Sequence, residues 1–267
     1  MLSSMYSGIS GLTANTQRMA VIGDNIANVN TMGYKGSILS FESLINPSVG
    51  GFTGNEIGSG VMLGDVSYDW NQGTIQRTTN PYDMAIAGSG FFMVKDASGD
   101  TFYTRDGEFN FDASGNLTTS SGMVVQGCVY ANPPANPPVP VPITIDPTKY
   151  QNVTVDSDGV YWAETIATPP VKTALFQAVV CDTTDRSVMA KNSNNLYSKT
   201  TPGAMEKIGV PNSNGLGSVD PESIEMSNVD IAKEFVNMIT AQRAFSACSK
   251  VITTSDEILQ ELVNMKR

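Results

Sequence analysis

The chain contains no histidine, the side chain that proteins use most often as a general base near neutral pH. A Ser-His-Asp triad and a Cys-His pair are therefore impossible, and imidazole ligands for metal ions are missing as well. Carboxylate pairs remain, such as Asp156 with Asp158 and Asp182 with Asp185, but both pairs lie in sequence typical of turns. We therefore expect a protein that is not an enzyme and that has no catalytic, cofactor-binding or metal site.

Cysteines and basic residues are also scarce. Cys128, Cys181 and Cys248 are odd in number and far apart, so we expect free thiols and neither a disulfide framework nor a zinc site. The chain has 16 Lys and Arg against 26 Asp and Glu, which gives a net charge of −10. Because binding to nucleic acid requires clustered positive charge, this composition excludes nucleic acid as a partner.

Long hydrophobic runs are missing too. No stretch approaches the roughly 18 consecutive apolar residues that a membrane-spanning helix requires, so we expect no membrane insertion. The N-terminus lacks the basic region and the apolar region of a secretory signal. If the protein leaves the cytoplasm, it does so by another route and without a cleaved signal peptide.

Both ends of the chain carry apolar residues at intervals of seven, a spacing that lets one helix lie along another. The N-terminal column is Met5, Leu12, Met19 and Ile26, flanked by Ile9, Ile22 and Val29. The C-terminal column is Ile231, Met238, Phe245, Ile252 and Leu259, and a second column beside it is Ala244, Val251, Ile258 and Met265. Either the terminal helices pair within one monomer as an antiparallel hairpin, or they are an assembly interface. We select the first-column and flanking residues as the candidate assembly interface.

The sequence between the two stripes is rich in strand and turn signals. We expect an α+β fold in which long terminal helices form a coiled-coil-like layer and a central domain is antiparallel β-sheet. The expected divisions are an N-terminal helix in 1–33, an extended linker in 34–73, the β domain in 74–218 and a C-terminal helix in 219–267. Within the β domain, Asp106-Gly107 between two alternating runs predicts a hairpin.

Two local features complete the prediction. Ser227 is the expected N-cap of a C-terminal helix of roughly forty residues, because its hydroxyl can accept from a free N–H of the first turn. Residues 132–142 contain six prolines and favour a rigid surface excursion over a segment that docks in an aromatic groove of a partner.

Three blocks of this sequence resemble the axial proteins of the bacterial flagellum, the hook and rod family. The first block comprises Gly8-Ile9-Ser10-Gly11-Leu12 and the run from Ile22 to Lys35, which contains Asn25, Asn28 and Gly33. The second comprises residues 80–92 and Tyr103-Thr104-Arg105-Asp106-Gly107. The third comprises residues 227–230, 241–245 and 250–252. The blocks occur in the order of the family and span most of the chain.

The resemblance implies a structural subunit of the hook–basal body that forms a homopolymer, a helical tube that transmits torque for motility. It implies terminal helices in an inner tube, an outer β layer, and export of the unfolded chain through the flagellar type III apparatus to the periplasm or cell exterior. Neighbouring axial and junction proteins would be further partners. Asn25 and Asn28 would hydrogen-bond across or along the helical layer, or face solvent.

The position within the axial structure has two interpretations. The length suits a distal rod protein, because hook subunits usually carry an additional outer domain. The opening at 5–12 and the close at 262–267 look more like hook proteins, so a short hook-type subunit is our preferred reading and a distal rod subunit the alternative. Asp24 and Cys248 depart from the family pattern, which more often has an amide there. Alternatives from other classes are a monomeric surface β module and a carboxylate-based hydrolase.

Overall fold

A computed structural model describes residues 2–46, 57–131, 138–166, 169–200 and 206–265. The chain divides into two compact units. The helical unit comprises Met1–Val29, Lys35–Trp70 and Val229–Arg267, and the β unit comprises Asn30–Tyr34 and Asn71–Asn228. Helices lie at the two ends of the chain and antiparallel strands lie between them, so the predicted α+β class is confirmed.

The helical unit is built on two helices, α1 (Leu2–Ala27) and α2 (Ile231–Met265). A Cβ added at Gly8 would lie 3.0 Å from Cγ1 of Ile252, and one added at Gly11 would lie 3.0 Å from Sγ of Cys248. The residue numbers rise on α1 as they fall on α2, so the two helices are antiparallel. Glycine at these two positions allows the helices to approach closely.

The start of α2 differs from the prediction. Asp230 is the residue that caps the helix, because its Oδ1 accepts from the backbone N–H groups of Ala232 at 2.8 Å and Lys233 at 3.3 Å. A helix capped by Ser227 would begin at residue 228, but α2 begins at Ile231, so Ser227 is not its N-cap. The helix is 35 residues long, shorter than the predicted forty.

The segment expected to be an extended linker contains two long strands, β1 (Ser37–Asn46) and β2 (Ile57–Tyr68). They pair as an antiparallel ribbon with register shifts at Leu39/Phe41 and Leu44/Ile45. Ser40 closes the first irregularity, since its Oγ donates to the carbonyl of Asp65 and accepts from the N–H of the same residue. These shifts interrupt the alternation of side chains that identifies a strand in sequence.

The β unit contains the remaining strands and a short 3-10 helix at Arg186–Val188, and every strand pair among the described residues is antiparallel. The strands are β3 (Ile75–Arg77), β4 (Met84–Ala87), β5 (Phe91–Lys95), β6 (Thr101–Thr104), β7 (Phe109–Phe111), β8 (Leu117–Thr119), β9 (Val124–Val129), β10 (Val141–Pro142), β11 (Tyr150–Val155), β12 (Val160–Thr165), β13 (Lys172–Ala178), β14 (Val180–Thr183), β15 (Met189–Lys191), β16 (Leu196–Lys199), β17 (Glu206–Gly209), β18 (Ser218–Pro221) and β19 (Ser223–Glu225).

The largest sheet runs in the order β11-β12-β13-β9-β5-β6-β16-β15, and β18 pairs with β4 while β19 pairs with β3. The hydrophobic core of the β unit includes Met84, Phe92, Phe109, Tyr161 and Val180, all of which are almost fully buried. Since β18 and β19 belong to this unit, it extends beyond residue 218, where the sequence analysis ended the β domain.

The hairpin predicted at Asp106-Gly107 does not form. β6 pairs with β5 and β16, whereas β7 pairs with β8. The segment between them runs beside β4, where the N–H of Met84 donates to the carbonyl of Gly107 at 3.0 Å. Contacts with residues far away in sequence therefore override the local turn signal.

Of the proline-rich segment, residues 132–137 lie outside the described residues, so the predicted excursion stays a prediction there. Val141 and Pro142 form β10, which pairs with Gly127 and Gln126 of β9. The C-terminal end of this segment is therefore part of the sheet.

Candidate assembly surface

The predicted interface residues fall into three groups by exposure. Ile22 is buried, and Ile9 and Ile231 are exposed. The others are half-buried: Met5, Leu12, Met19, Ile26, Val29, Met238, Phe245, Ile252 and Leu259. Ile252 faces Gly8 of the same chain. Part of the predicted stripe therefore pairs α1 with α2 inside one molecule, as in the hairpin reading.

The α1-facing side of α2 follows from its helical period. Ala241 and Ser255 are buried, and Cys248 and Ile252 contact α1. Phe245 lies one turn from Ala241 and close to Cys248 on the helix surface, so it shares this side. Apolar residues on the other sides of α2 remain available for other contacts.

Two exposed apolar patches lie on α2, and the predicted set includes only one of their residues. The first patch, near the N-terminus of the helix, consists of Ile231, Phe235, Val236 and Ile239. The second patch, near the C-terminus, consists of Val251, Ile258, Leu262 and Met265. Val251, Ile258 and Met265 of the second patch belong to the second column of the sequence pattern. Phe235 and Ile239 of the first patch belong to neither column.

The second patch continues into an open groove of about 470 Å³. The groove lies where α1, β2 and α2 meet, and its lining consists of Ser4, Ser7, Gly8, Gly58, Ala247, Cys248 and Val251. These side chains are small, so the groove has room for a large apolar side chain. The ribbon adds further exposed apolar residues, namely Ile38, Phe41, Leu44, Met62 and Val66.

The asparagines of the first sequence block form hydrogen bonds within the chain. Asn25 is buried, its Nδ2 donates to the carbonyl of Ser37 at 2.9 Å, and its Oδ1 accepts from the N–H of Ser37 at 2.9 Å. It therefore fixes the start of β1 against α1. Asn28 donates from Nδ2 to the backbone carbonyl and the carboxylate of Asp24, which lies one turn earlier.

The end of the same block folds into the β unit. The N–H of Gly33 donates to the carbonyl of Glu225 at 2.8 Å, and Asn195 donates from Nδ2 to the carbonyl of Met32 at 2.8 Å. Gly33 has φ +65°, and a Cβ there would lie 2.5 Å from the backbone nitrogen of Asp106. Only glycine meets both constraints.

The second block contains a buried ion pair. Nη1 of Arg105 lies 2.9 Å from Oε2 of Glu225, and the side chains are 3% and 0% exposed. Nη2 of Arg105 donates to the carbonyl of Gly88, and Oε1 of Glu225 accepts from the N–H of Gly73. The pair joins three distant segments of the β unit, which is a structural role.

The carboxylates considered for catalysis are engaged in local structure. Asp156 accepts from Ser157 in a turn whose backbone pattern is shared by the turns at Asp96 and Asp112. Asp182 forms an ion pair with Arg186, and hydrogen bonds from Ser187 lower the pKa of Asp185. Among the described residues, no cluster of His, Cys, Asp or Glu could hold a metal ion.

Among the described carboxyl groups of the β unit, that of Asp106 has the pKa that departs furthest from its ordinary value. Burial, opposed by a hydrogen bond from the N–H of Glu108 and assisted by the negative charges of Glu108 and Asp83, raises its pKa to about 6.

In the described part of the chain, no helix is long and apolar enough to cross a membrane.

Comparison with known proteins gives matches along the chain. Residues 5–35 match the family "Flagella basal body rod protein", residues 85–163 match "Flagellar hook protein FlgE/F/G D1 domain", and residues 221–265 match "Flagellar basal body rod FlgEFG protein C-terminal". These ranges include the first and third sequence blocks and all of the second block except residues 80–84.

Full-length relatives are similar over both whole chains. The flagellar basal-body rod protein FlgG of Bacillus subtilis is 36% identical, with 100% of each chain covered. FlgG of Agrobacterium fabrum is 34% identical over 93% of this chain and 94% of its own. The flagellar hook protein FlgE of Helicobacter mustelae is 43% identical over 48% of this chain and 31% of its own. The chain therefore belongs to the flagellar hook and rod axial protein family, whose members are structural, non-enzymatic subunits that polymerise with copies of themselves beside other axial proteins of the flagellum.

Proposed function

We propose that this chain is a distal rod subunit of the flagellar basal body and that it polymerises into a helical tube that transmits torque. The observation that carries this proposal is the fraction of each chain over which this protein and its relatives are similar. The rod relatives match the chain from end to end, whereas the hook relative matches about half of it and a third of itself.

This proposal replaces the hook-type preference of the sequence analysis. That preference rested on short stretches at the two ends, 5–12 and 262–267. The helical ends of rod and hook subunits face the same packing problem, so short terminal motifs distinguish them poorly. Similarity over the whole length of both chains is the better guide, and it favours the rod.

The exposed apolar side chains indicate which part of the subunit makes contacts with other subunits in the tube. The helical unit has two apolar patches on α2 and further apolar side chains on the ribbon and on α1 at Tyr6 and Ile9. Patches of this kind typically mark interfaces. We therefore propose that the terminal helices make the contacts between subunits of the tube, with half-buried residues such as Met238, Phe245 and Leu259 contributing their exposed parts.

Export without a cleaved signal suits the covalent structure of the chain. None of the three cysteines, all of which lie among the described residues, forms a disulfide, so no disulfide opposes unfolding before passage through the export apparatus.

A deletion strain tests the rod against the hook assignment. Basal bodies purified from cells that lack this protein are imaged by electron microscopy, with the complemented strain as control. A distal rod subunit predicts particles with an incomplete rod and no hook, because later subunits have nothing to build on. A complete rod that lacks only the hook contradicts the proposal and supports a hook subunit.

A further inference from the structure

The two patches of α2 lie on opposite flanks of its α1-facing side. At about 100° per residue, the centre of the first patch (Ile231, Phe235, Val236 and Ile239) lies roughly 130° from the centre of the second patch (Val251, Ile258, Leu262 and Met265). The side that carries Cys248 and Ile252 lies between them on the other arc. Two copies of the helix in similar orientation can therefore bring the first patch of one against the second patch of the other.

We propose, on the basis of the self-assembly proposed above, that Phe235 of one copy occupies the groove beside Val251 of the next copy. Phe235 is the largest side chain of the first patch and is 51% exposed. The groove opens next to Val251 and is lined by small residues such as Gly8 and Ala247. An aromatic ring in a small-residue groove is the typical anchor of a protein interface.

The charges of α2 support the same alignment. Placing residue 235 level with residue 251 shifts the copies by about 16 residues, or about 24 Å at 1.5 Å per residue. Arg243 of one copy then lies level with residue 259 of the next, between Glu257 and Glu261. When the two patches face each other, Arg243 and Glu261 border the contact on the same side.

These charges have no opposite partner on their own helix. No acidic residue lies three or four positions from Arg243, and Glu257 and Glu261 are spaced as a like-charge pair, which is unfavourable within one helix. A neighbouring copy that presents Arg243 removes this repulsion. A second copy of the chain is therefore the occupant that fits both the shape and the charge of the second patch.

The contact is heterologous, because different surfaces of the two copies meet. A heterologous contact with a shift along the axis produces an open helical array and not a closed dimer. Because the patches lie about 130° apart and not 180°, each copy turns by about 50° relative to the last, and the wall that they form curves.

Photocrosslinking within the polymer tests the alignment. p-Benzoylphenylalanine replaces Phe235 in the full chain, polymers are formed from an equal mixture of isotope-labelled and unlabelled subunits, and crosslinks are mapped by mass spectrometry. We expect crosslinks between copies that join position 235 to residues 247–251 or to 4–8. The control probe at Phe245, on the α1-facing side, is expected to crosslink to α1 within its own chain.

The outcomes distinguish the proposed contact between Phe235 and the groove from the proposed self-assembly of the chain. Polymers in which position 235 crosslinks to another region overturn the alignment and leave the proposed function intact. Failure of the unmodified chain to form any polymer overturns both. A second experiment reverses charge: Arg243→Glu is expected to lower the polymerised fraction several-fold at low salt, and adding Glu261→Arg to restore it. No restoration overturns the pairing of these residues.

Discussion

Gly8 of α1 faces Ile252 of α2 so closely that an added Cβ would lie 3.0 Å from Cγ1 of Ile252. The seven-residue repeat predicts Ile252 as an assembly residue, yet its side chain packs against α1 of its own chain. The surface open to other copies lies on either side of this contact. This relation separates the residues that hold one subunit together from those that join subunits.

The contact between Gly8 of α1 and Ile252 of α2 gives a first prediction. Gly8→Val places branched methyl groups against Ile252 and is expected to destabilise the helical unit by about 1–3 kcal/mol, the usual cost of overpacking. Gly8→Ala is the control, because its single methyl group requires the side chain of Ile252 to move by only a few tenths of an ångström and alanine favours the helix. Thermal unfolding followed by circular dichroism at 222 nm measures both. A valine variant as stable as the alanine variant would show that the helices do not pack closely there.

Gly33 gives a second prediction, which concerns the β unit. Gly33→Ala introduces a Cβ at positive φ and against the backbone of Asp106, so we expect a loss of about 1–3 kcal/mol. Gly23→Ala is the matched control, because nothing lies within 4 Å of a Cβ at that position of α1. The control is expected to stabilise by up to about 1 kcal/mol. Equal effects in urea unfolding would refute the account of Gly33.

A third prediction concerns the buried ion pair. Glu225→Gln leaves the guanidinium of Arg105 buried without a counter-charge and is expected to cost about 3–5 kcal/mol. The double variant Arg105→Met, Glu225→Gln removes that charge and is expected to recover part of the loss. Urea unfolding of the two single variants, the double variant and the parent forms a complete cycle. Purely additive losses would mean that the two residues do not act as a pair.

The raised pKa of Asp106 gives a fourth prediction. The folded state holds this proton more tightly than the unfolded chain, in which the carboxyl has its ordinary pKa of 3.8, so stability from this group is present below pH 3.8 and lost as the pH rises through about 6. Asp106→Asn removes this loss and is expected to add about 1–3 kcal/mol at pH 7, less at pH 4. Chemical unfolding at both values tests it, and a constant difference between variant and parent would contradict the assignment.

How far the sequence predicts this structure differs from element to element. The terminal helices follow from the seven-residue apolar repeat, since that period is a property of the local chain. The ribbon of β1 and β2 was missed because its bulges near Ser40 and Leu44 disturb the alternation that marks a strand. The Asp106-Gly107 hairpin failed because Arg105 is fixed by Glu225, a partner 120 positions away.

The candidate site shows a similar limit. A periodic pattern reports that a stripe is apolar but not which partner covers it, so seam residues such as Ile252 and patch residues such as Val251 look alike in sequence. Phe235 and Ile239 were missed because they lie outside the repeat. Their role emerges only once the position of α1 on α2 is known.

The most direct test of the central claim is the polymerised fraction of the purified full chain, measured by sedimentation and electron microscopy for two matched variants. Ile239→Asp places a charge in the first patch, and Ile166→Asp places the same charge on the β unit at a side chain of equal exposure, 51% against 50%. We predict that Ile239→Asp stays in the supernatant while Ile166→Asp and the parent form tubes. Tubes of normal yield from Ile239→Asp would contradict assembly through the patches of α2.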